Sequence, residues 1–276
     1  MVDFVEGTFN ARLAAEPTTP VVVSVPHAGV ATAGFDQALS PELEVRGDAD
    51  LYVDRLYRLG QEGGPETWIA AQVSRFVCDL NRDPDDVGPG VVPEHPAPRN
   101  SDGRGFIWAV TTVGSPTLVR PLSLEEWRGR TAIHAAYHDA IARALDRARE
   151  RFGYAILVDG HSMPSRGRSG HIDTGRDRAD IVPGDRDGTS CAPALSDFVR
   201  AHFLRHGFSV RPNEPYKGGF ITAHHGRPAE RIHAIQIEMR RDLYMNEATF
   251  VPDEAGMSRL QAVLADLLAE LPTLKL

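Results

Sequence analysis

Apolar and polar positions divide the chain into strand-like and helix-like segments that alternate along its length. Tyr154-Ala155-Ile156-Leu157-Val158 runs without a charge into Asp159-Gly160-His161-Ser162. A short continuous apolar run of this kind predicts a strand buried on both faces, as in a parallel sheet. Residues 20–25 form a second, β-branched run that ends in Pro26-His27-Ala28-Gly29. Residues 67–71, 75–80, 208–211 and 232–239 predict further strands. A helix is expected to begin near Asp48, with Leu51, Leu56 and Leu59 at partial helical spacing and Gly60 closing it. Ser123-Leu124-Glu125-Glu126 is a capping box, and behind it Trp127, Ile133, Tyr137, Ile141, Leu145 and Ala148 recur near one face. Two more helices are predicted, one over 192–206 closed by Gly207 and one capped by Asp253. Residues 1–19 read as a loosely held lead-in, and Tyr216-Lys217-Gly218-Gly219 as a tight turn. Residues 83–122 and 163–190 lack periodicity. The first directly follows Asn81-Arg82 and reads as a cover over a site, since long irregular segments inside compact domains are usually functional or disordered. The alternation predicts one domain over residues 1–276 of the α/β class, a three-layer α/β/α arrangement around a central, mostly parallel mixed sheet.

Composition narrows the function. The 276 residues carry a net charge of −8 and no dense Lys/Arg run, which argues against a nucleic-acid partner. No apolar run approaches the roughly 20 residues a membrane helix needs. The N-terminus lacks a basic-then-apolar signal pattern. Cys78 and Cys191 stand far apart in no Cys-x-x-Cys pattern, which points to a reducing, cytoplasmic compartment without a disulfide framework or thiolate metal knuckle. Nothing in the chain specifies an oligomeric state.

The chemistry lies at the strand ends. His27, Asn81-Arg82, His161 and Glu238 each fall at or just past a predicted strand, and in α/β sheets ligands bind outside the carboxyl ends of the strands. Two histidines and a carboxylate can hold Zn²⁺ with a position open for water. A further carboxylate can take the water's proton, and an arginine can grip an anionic small-molecule substrate. There is no His-Glu-x-x-His helix, and Val30 occupies the third position after His27. The carboxylate ligand must therefore come from elsewhere, and Asp48, Asp50 and Asp54 are the nearest cluster.

Together, Val25-Pro26-His27-Ala28-Gly29, Asp48-Ala49-Asp50 with Asp54-Arg55-Leu56-Tyr57, Arg75 to Arg82, Asp159-Gly160-His161-Ser162, Pro215-Tyr216-Lys217-Gly218-Gly219 and Gln236-Ile237-Glu238 resemble the N-formylglutamate amidohydrolase (deformylase) family across roughly residues 21–245. That family is similar in fold to zinc carboxypeptidases and aspartoacylases, so the resemblance implies a zinc-exopeptidase-like fold. It also implies zinc-dependent conversion of N-formyl-L-glutamate and water to L-glutamate and formate, late in histidine breakdown. By the same resemblance His27 and His161 are metal ligands, with Asp50 expected as the third ahead of Asp54 and Asp48. Glu238 is the general base, Asn81 and Arg82 hold a substrate carboxylate, and Arg75 polarises the scissile carbonyl. The substrate carries two carboxylates, so a second cationic group is expected, with Arg166, Arg168 and Lys217 as candidates. Tyr216 is a further substrate donor, and His224-His225 lies in the same late loop. A His/His/Asp set would also suit another divalent metal. Two alternatives stand beside this reading: a deacylase or carboxypeptidase-like hydrolase acting on another N-acyl amino acid, and a non-catalytic metal- or amino-acid-binding protein on the same fold. The latter would have no need of Glu238.

Overall fold

The computed structural model describes residues 7–276 except 33, 101 and 102. Six strands form one mixed sheet: β1 (Phe9–Arg12), β2 (Val21–Val25), β3 (Trp68–Ala71), β4 (Ala155–Met163), β5 (Ile181–Gly184) and β6 (Ile232–Arg240). Their spatial order is β1-β3-β2-β4-β6-β5. The four inner strands are parallel to one another, and β1 and β5 run antiparallel at the two edges. Every residue of β2 and β4 is buried, which explains the apolar runs that open both strands; β4 continues past its run through Asp159, His161 and Ser162 to Met163.

Period-two alternation sends successive side chains to opposite faces. On one face Val22, Ile69, Leu157 and Ala234 pack with Ile133, Tyr137, Ile141 and Leu145 of the helix α2 (Leu124–Phe152). The other face presents Val23, Ile156, Val158, Ile235 and Ile237. There they meet α3 (Pro193–Arg205) through Leu195, Val199 and Phe203, and α5 (Glu254–Glu270) through Leu260, Leu264 and Leu267. Two short helices complete the set, α1 (Val53–Leu56) and α4 (Phe220–His225). The capping box at Ser123 and Glu126 forms as its sequence predicts, and Asp253 caps α5. No helix among the described residues is long and apolar enough to cross a membrane.

Several elements differ from the sequence pattern. Phe9–Arg12 in the lead-in is an edge strand against β3. Residues 75–80 are turns rather than a strand, because Arg75 folds back onto Asp79 four residues later. Residues 48–52 are not helical: Tyr52 takes φ 66°, and a single turn of helix follows. Residues 208–211 contribute one bridge, Val210 to Ile181. The irregular stretch 163–190 contains β5, and α4 follows the Gly218-Gly219 turn.

The described part of segment 83–122 has no strand or helix but is far from loose. Val87, Val92, Phe106 and Ile107 are buried in the same core as α2. The segment is a packed wall beside the strand ends.

Register places the chemistry. His27 lies two residues past β2, and His161 of β4 sits directly across from Glu238 of β6. The chain after β2 is tightly confined: a Cβ on Gly29 would lie 2.4 Å from the Gln72 backbone. Gly29→Ala is therefore expected to destabilise the fold by about 1–3 kcal/mol, the usual cost of overpacking. Denaturant unfolding checks this, and an unchanged midpoint would show that this backbone approach tolerates a methyl.

Candidate active site

The parallel strand ends open into a cleft of about 430 Å³. At its floor the ligating atoms of His27, Asp50 and His161 lie within 4.8 Å of one another. All three residues are only 2% exposed. Asp50 arrives from the turn after the 3-10 helix Val45–Gly47, and its N–H donates to the His27 carbonyl at 2.8 Å. His27 Nδ1 is 3.5 Å from Asp50 Oδ2, and His161 Nδ1 is 3.1 Å from the same oxygen.

The other nitrogen of each ring is anchored from behind. His27 Nε2 pairs with Asp79 Oδ1 at 2.7 Å, and His161 Nε2 with Asp159 Oδ2 at 2.9 Å. Carboxylates accept, so each Nε2 carries the proton and each neutral ring turns the Nδ1 lone pair toward Asp50. This tautomer is assigned from the hydrogen-bond partners. Carboxylate–histidine pairs of this kind fix ring orientation and raise ligand basicity at metal sites. Two lone pairs and a carboxylate oxygen facing one another repel unless a cation sits among them. Without a metal, protons must play that part. Burial opposes charge on His161, but Asp159 and Asp50 raise its pKa well above the ordinary range. Burial likewise opposes charge on Asp50, and hydrogen bonds from His161 and His27 hold its pKa well below the usual carboxylate range. The donor set fits a divalent cation.

A further shell locks this cluster. Arg241 donates to Asp50 Oδ1 at 3.1 Å, to the Gly47 carbonyl at 2.9 Å and to Ser162 Oγ at 3.2 Å. Asp79 accepts from Arg75 Nη2 at 2.7 Å and from Trp108 Nε1 at 3.1 Å. Gly160 is required between the two β4 residues of the cluster, since a Cβ there would sit 2.4 Å from the Tyr57 ring.

Glu238 is buried across from His161. Burial raises its pKa, with the His161 charge opposing that rise. Gln236 Nε2 donates to Glu238 Oε1 at 2.9 Å, while Gln236 Oε1 accepts from the Gly219 N–H at 3.1 Å. A carboxyl held in one orientation, with a proton affinity above that of a free glutamate, is suited to proton transfer.

The remaining predicted residues fall in different places. Arg75 lines the cleft, but three of its N–H groups go to Asp79 and the Asp48 carbonyl. Asn81 also lines it. Its Oδ1 accepts from the Ile221 N–H at 2.8 Å, and its Nδ2 lies 3.4 Å from His161 Nε2. Arg82 lines the cleft without a carboxylate partner among the described residues. Tyr216 and Lys217 line it too; Arg178 stacks over the Tyr216 ring at 5.0 Å, and Lys217 pairs with Asp187 at 2.7 Å. Arg166 is outside it, exposed and near Asp177 at 3.7 Å. Arg168 is committed to Asp48, which also accepts from the Thr112 N–H and hydroxyl. Asp48 lines the cleft but is not in the cluster with the two histidines, and Asp54 sits on α1 outside the cleft. Sequence reasoning passed over Asp79, Asp159, Gln236, Arg241 and Arg104 as site residues. The nearest signals were spacings: Asp159 lies two before His161, Gln236 two before Glu238, and Asp79 two before Asn81.

His224-His225 does not reach the cleft lining. His225 joins His134 and His138 of α2 in a buried cluster behind Leu80–Arg82, with His224 exposed beside it. His138 Nε2 donates to the Leu80 carbonyl and His134 Nε2 to the Arg82 carbonyl, at 2.9 and 3.0 Å. His138 Nδ1 then accepts from His225 Nε2 at 2.9 Å. The cluster grips the backbone on both sides of Asn81.

Residues 19–245 match the family model for N-formylglutamate amidohydrolase. The chain is 34% identical over 259 residues to the N-formylglutamate deformylase of Pseudomonas aeruginosa, spanning 91% of this chain and 92% of the relative. The Pseudomonas putida N-formylglutamate deformylase matches at 34% over 258 residues, with the same coverage of both chains. The crystal structure of N-formylglutamate amidohydrolase from Ralstonia eutropha JMP134 superposes with a TM-score of 0.85 at 34% identity, covering 97% of this chain and 98% of that one. A gene product of Agrobacterium tumefaciens, 21% identical with a TM-score of 0.66 over 95% of this chain and 94% of that one, shares the fold. This chain belongs to the N-formylglutamate amidohydrolase family.

The histidine cluster makes stability pH-dependent. Burial, ahead of neighbouring charges, lowers the pKa of His134 to about 4 and of His225 to about 3. The unfolded chain therefore binds these protons first as pH falls from about 6.5. Each histidine contributes stability at neutral pH that declines by up to about 1.4 kcal/mol per pH unit below that point. Urea unfolding at pH 7 and pH 5 should show a smaller acid loss in His225→Gln than in the wild type. An equal loss in both would mean that His225 titrates normally in the fold.

Proposed function

We propose that the protein hydrolyses N-formyl-L-glutamate to L-glutamate and formate, with a divalent metal, in the first instance zinc, held by His27, Asp50 and His161. The observation that carries this reading is the buried His-Asp-His cluster with Glu238 across from it, in a chain of this family. The natural place for the reaction is the end of a histidine-degrading route that yields N-formylglutamate.

Bound at the cluster, a divalent cation supplies Lewis-acid polarisation of a carbonyl and makes water acidic near neutral pH. The chain's own residues do the rest. Asp79 and Asp159 hold the two rings, and Arg241 holds Asp50. Glu238 takes a proton from water as the water oxygen bonds to the formyl carbon. It returns that proton to the glutamate nitrogen as the carbon–nitrogen bond breaks, so formate and a free amine leave. Gln236 keeps the Glu238 carboxyl aimed through both transfers. Arg75 lends its charge beside the cluster, and Arg82, next to Asn81, receives the carboxylate on the carbon that bears the scissile nitrogen. Asn81 shapes this end of the cleft by holding the start of α4.

Glu238→Gln keeps the shape and a hydrogen-bonding side chain while removing the base. General acid–base catalysis contributes typically 10²–10⁴-fold, so formate release should fall by about that factor while metal content stays near the wild-type value. Formate assay with metal analysis checks this. Full activity in Glu238→Gln would remove Glu238 from the mechanism, and no formate from metal-loaded wild type would reject the substrate.

A further inference from the structure

The cationic side chains that line the cleft are not all paired with carboxylates. Among the described cleft-lining residues, Arg75 pairs with Asp79, Arg241 with Asp50 and Lys217 with Asp187. Arg82 and Arg104 have no carboxylate partner among the described residues. Both are half-buried and both line the cleft. An arginine partly withdrawn from water without a counter-charge is electrostatically incomplete, and an anionic ligand completes it.

The structure builds a place for Arg104. It lies between Gly103, at φ 73°, and Gly105, where a Cβ would strike the Asp86 carbonyl at 1.8 Å. Its backbone pairs with Trp108 in a short antiparallel bridge. Its guanidinium packs against Gly170 of the opposite loop, where a Cβ would lie 2.4 Å from Arg104 Nη1. The two arginines are also tied together, since Arg82 Nε donates to the Arg104 carbonyl at 3.4 Å.

Their positions differ along the cleft. Arg82 donates to the carbonyl of Asn81, whose side-chain Nδ2 lies 3.4 Å from His161 Nε2. The Arg104 guanidinium instead lies against Gly170, in the loop after β4. An N-formyl dicarboxylic amino acid has one carboxylate on the carbon bearing the scissile nitrogen and the other at the end of its side chain. The near carboxylate belongs with Arg82 and the distal one with Arg104.

We infer that Arg104 binds the side-chain carboxylate of the substrate and so selects acidic over neutral N-formyl amino acids. This assignment rests on the deformylase reading for the identity of the substrate, but the charge clamp can be measured without turnover. Two readouts on the metal-loaded wild type, Arg104→Gln and Arg104→Lys separate the cases. The first is calorimetric binding of L-glutamate and L-glutamine. The second is kcat/KM for N-formyl-L-glutamate and N-formyl-L-glutamine.

The wild type should favour the acidic member of each pair by about a hundredfold, the scale for losing one partner of a hydrogen-bonded charge pair. Arg104→Gln should bring both ratios close to one, and Arg104→Lys should restore part of the preference. A merely structural Arg104 would depress both members equally and leave the ratios unchanged, which overturns the inference. Absence of any glutamate preference in the wild type overturns it as well. Arg104-dependent glutamate binding without formate release from either substrate would uphold the clamp and reject the deformylase reading.

Discussion

The Asp50 carboxylate is the constraint on which the site depends. It is buried, and one of its oxygens faces Nδ1 of both His27 and His161. Withdrawing such a charge from water is costly unless it is paired and hydrogen-bonded. The chain satisfies it from three directions. Arg241 and Ser162 take the other oxygen, and the histidines take this one. Behind the rings, Asp79 and Asp159 add two more buried negative charges, while Arg75 and Arg241 return two positive ones. The core of the cluster is left short of positive charge, which is the electrostatic condition under which a divalent cation binds and under which His161 otherwise holds a proton.

Parallel strands let residues far apart in sequence meet at that point. β2, β4 and β6 lie side by side, so their carboxyl ends share one rim. His161 and Glu238 are register partners, and Ser24, three residues before His27, pairs with Asp159. The rest of the cleft comes from chain outside the sheet. Segment 83–122, anchored by Phe106 and Ile107, supplies one wall, and the loop after β4 faces it across Arg104 and Gly170.

The strands and helices that bury a continuous face were legible in the sequence. β2, β4, β6, α2 and α5 each carry an apolar pattern that burial dictates directly. That His27, His161 and Glu238 meet in one cleft was legible for a related reason, because a polar residue at the end of such a run stands out. What escaped was set by long-range polar contacts without periodicity. Residues 75–80 look like a strand by composition, yet the Arg75–Asp79 pair turns them. Arg241 lies almost two hundred residues from Asp50 in the chain, and only the fold brings the two together. Arg166 looked as suitable for an anion as any loop arginine, but the turn around Gly175 points it to solvent. Phe9–Arg12 has an edge strand's weak pattern, with one face on the core and one in water.

The central claim is that Asp50 joins the two histidines in holding a metal. Its most direct test is zinc binding by chelator competition in the wild type and Asp50→Ala. The account predicts one tightly bound zinc per wild-type chain and a loss of affinity of at least about a hundredfold in Asp50→Ala, with the fold retained. Unchanged affinity in Asp50→Ala, or no stoichiometric zinc in the wild type, would contradict it.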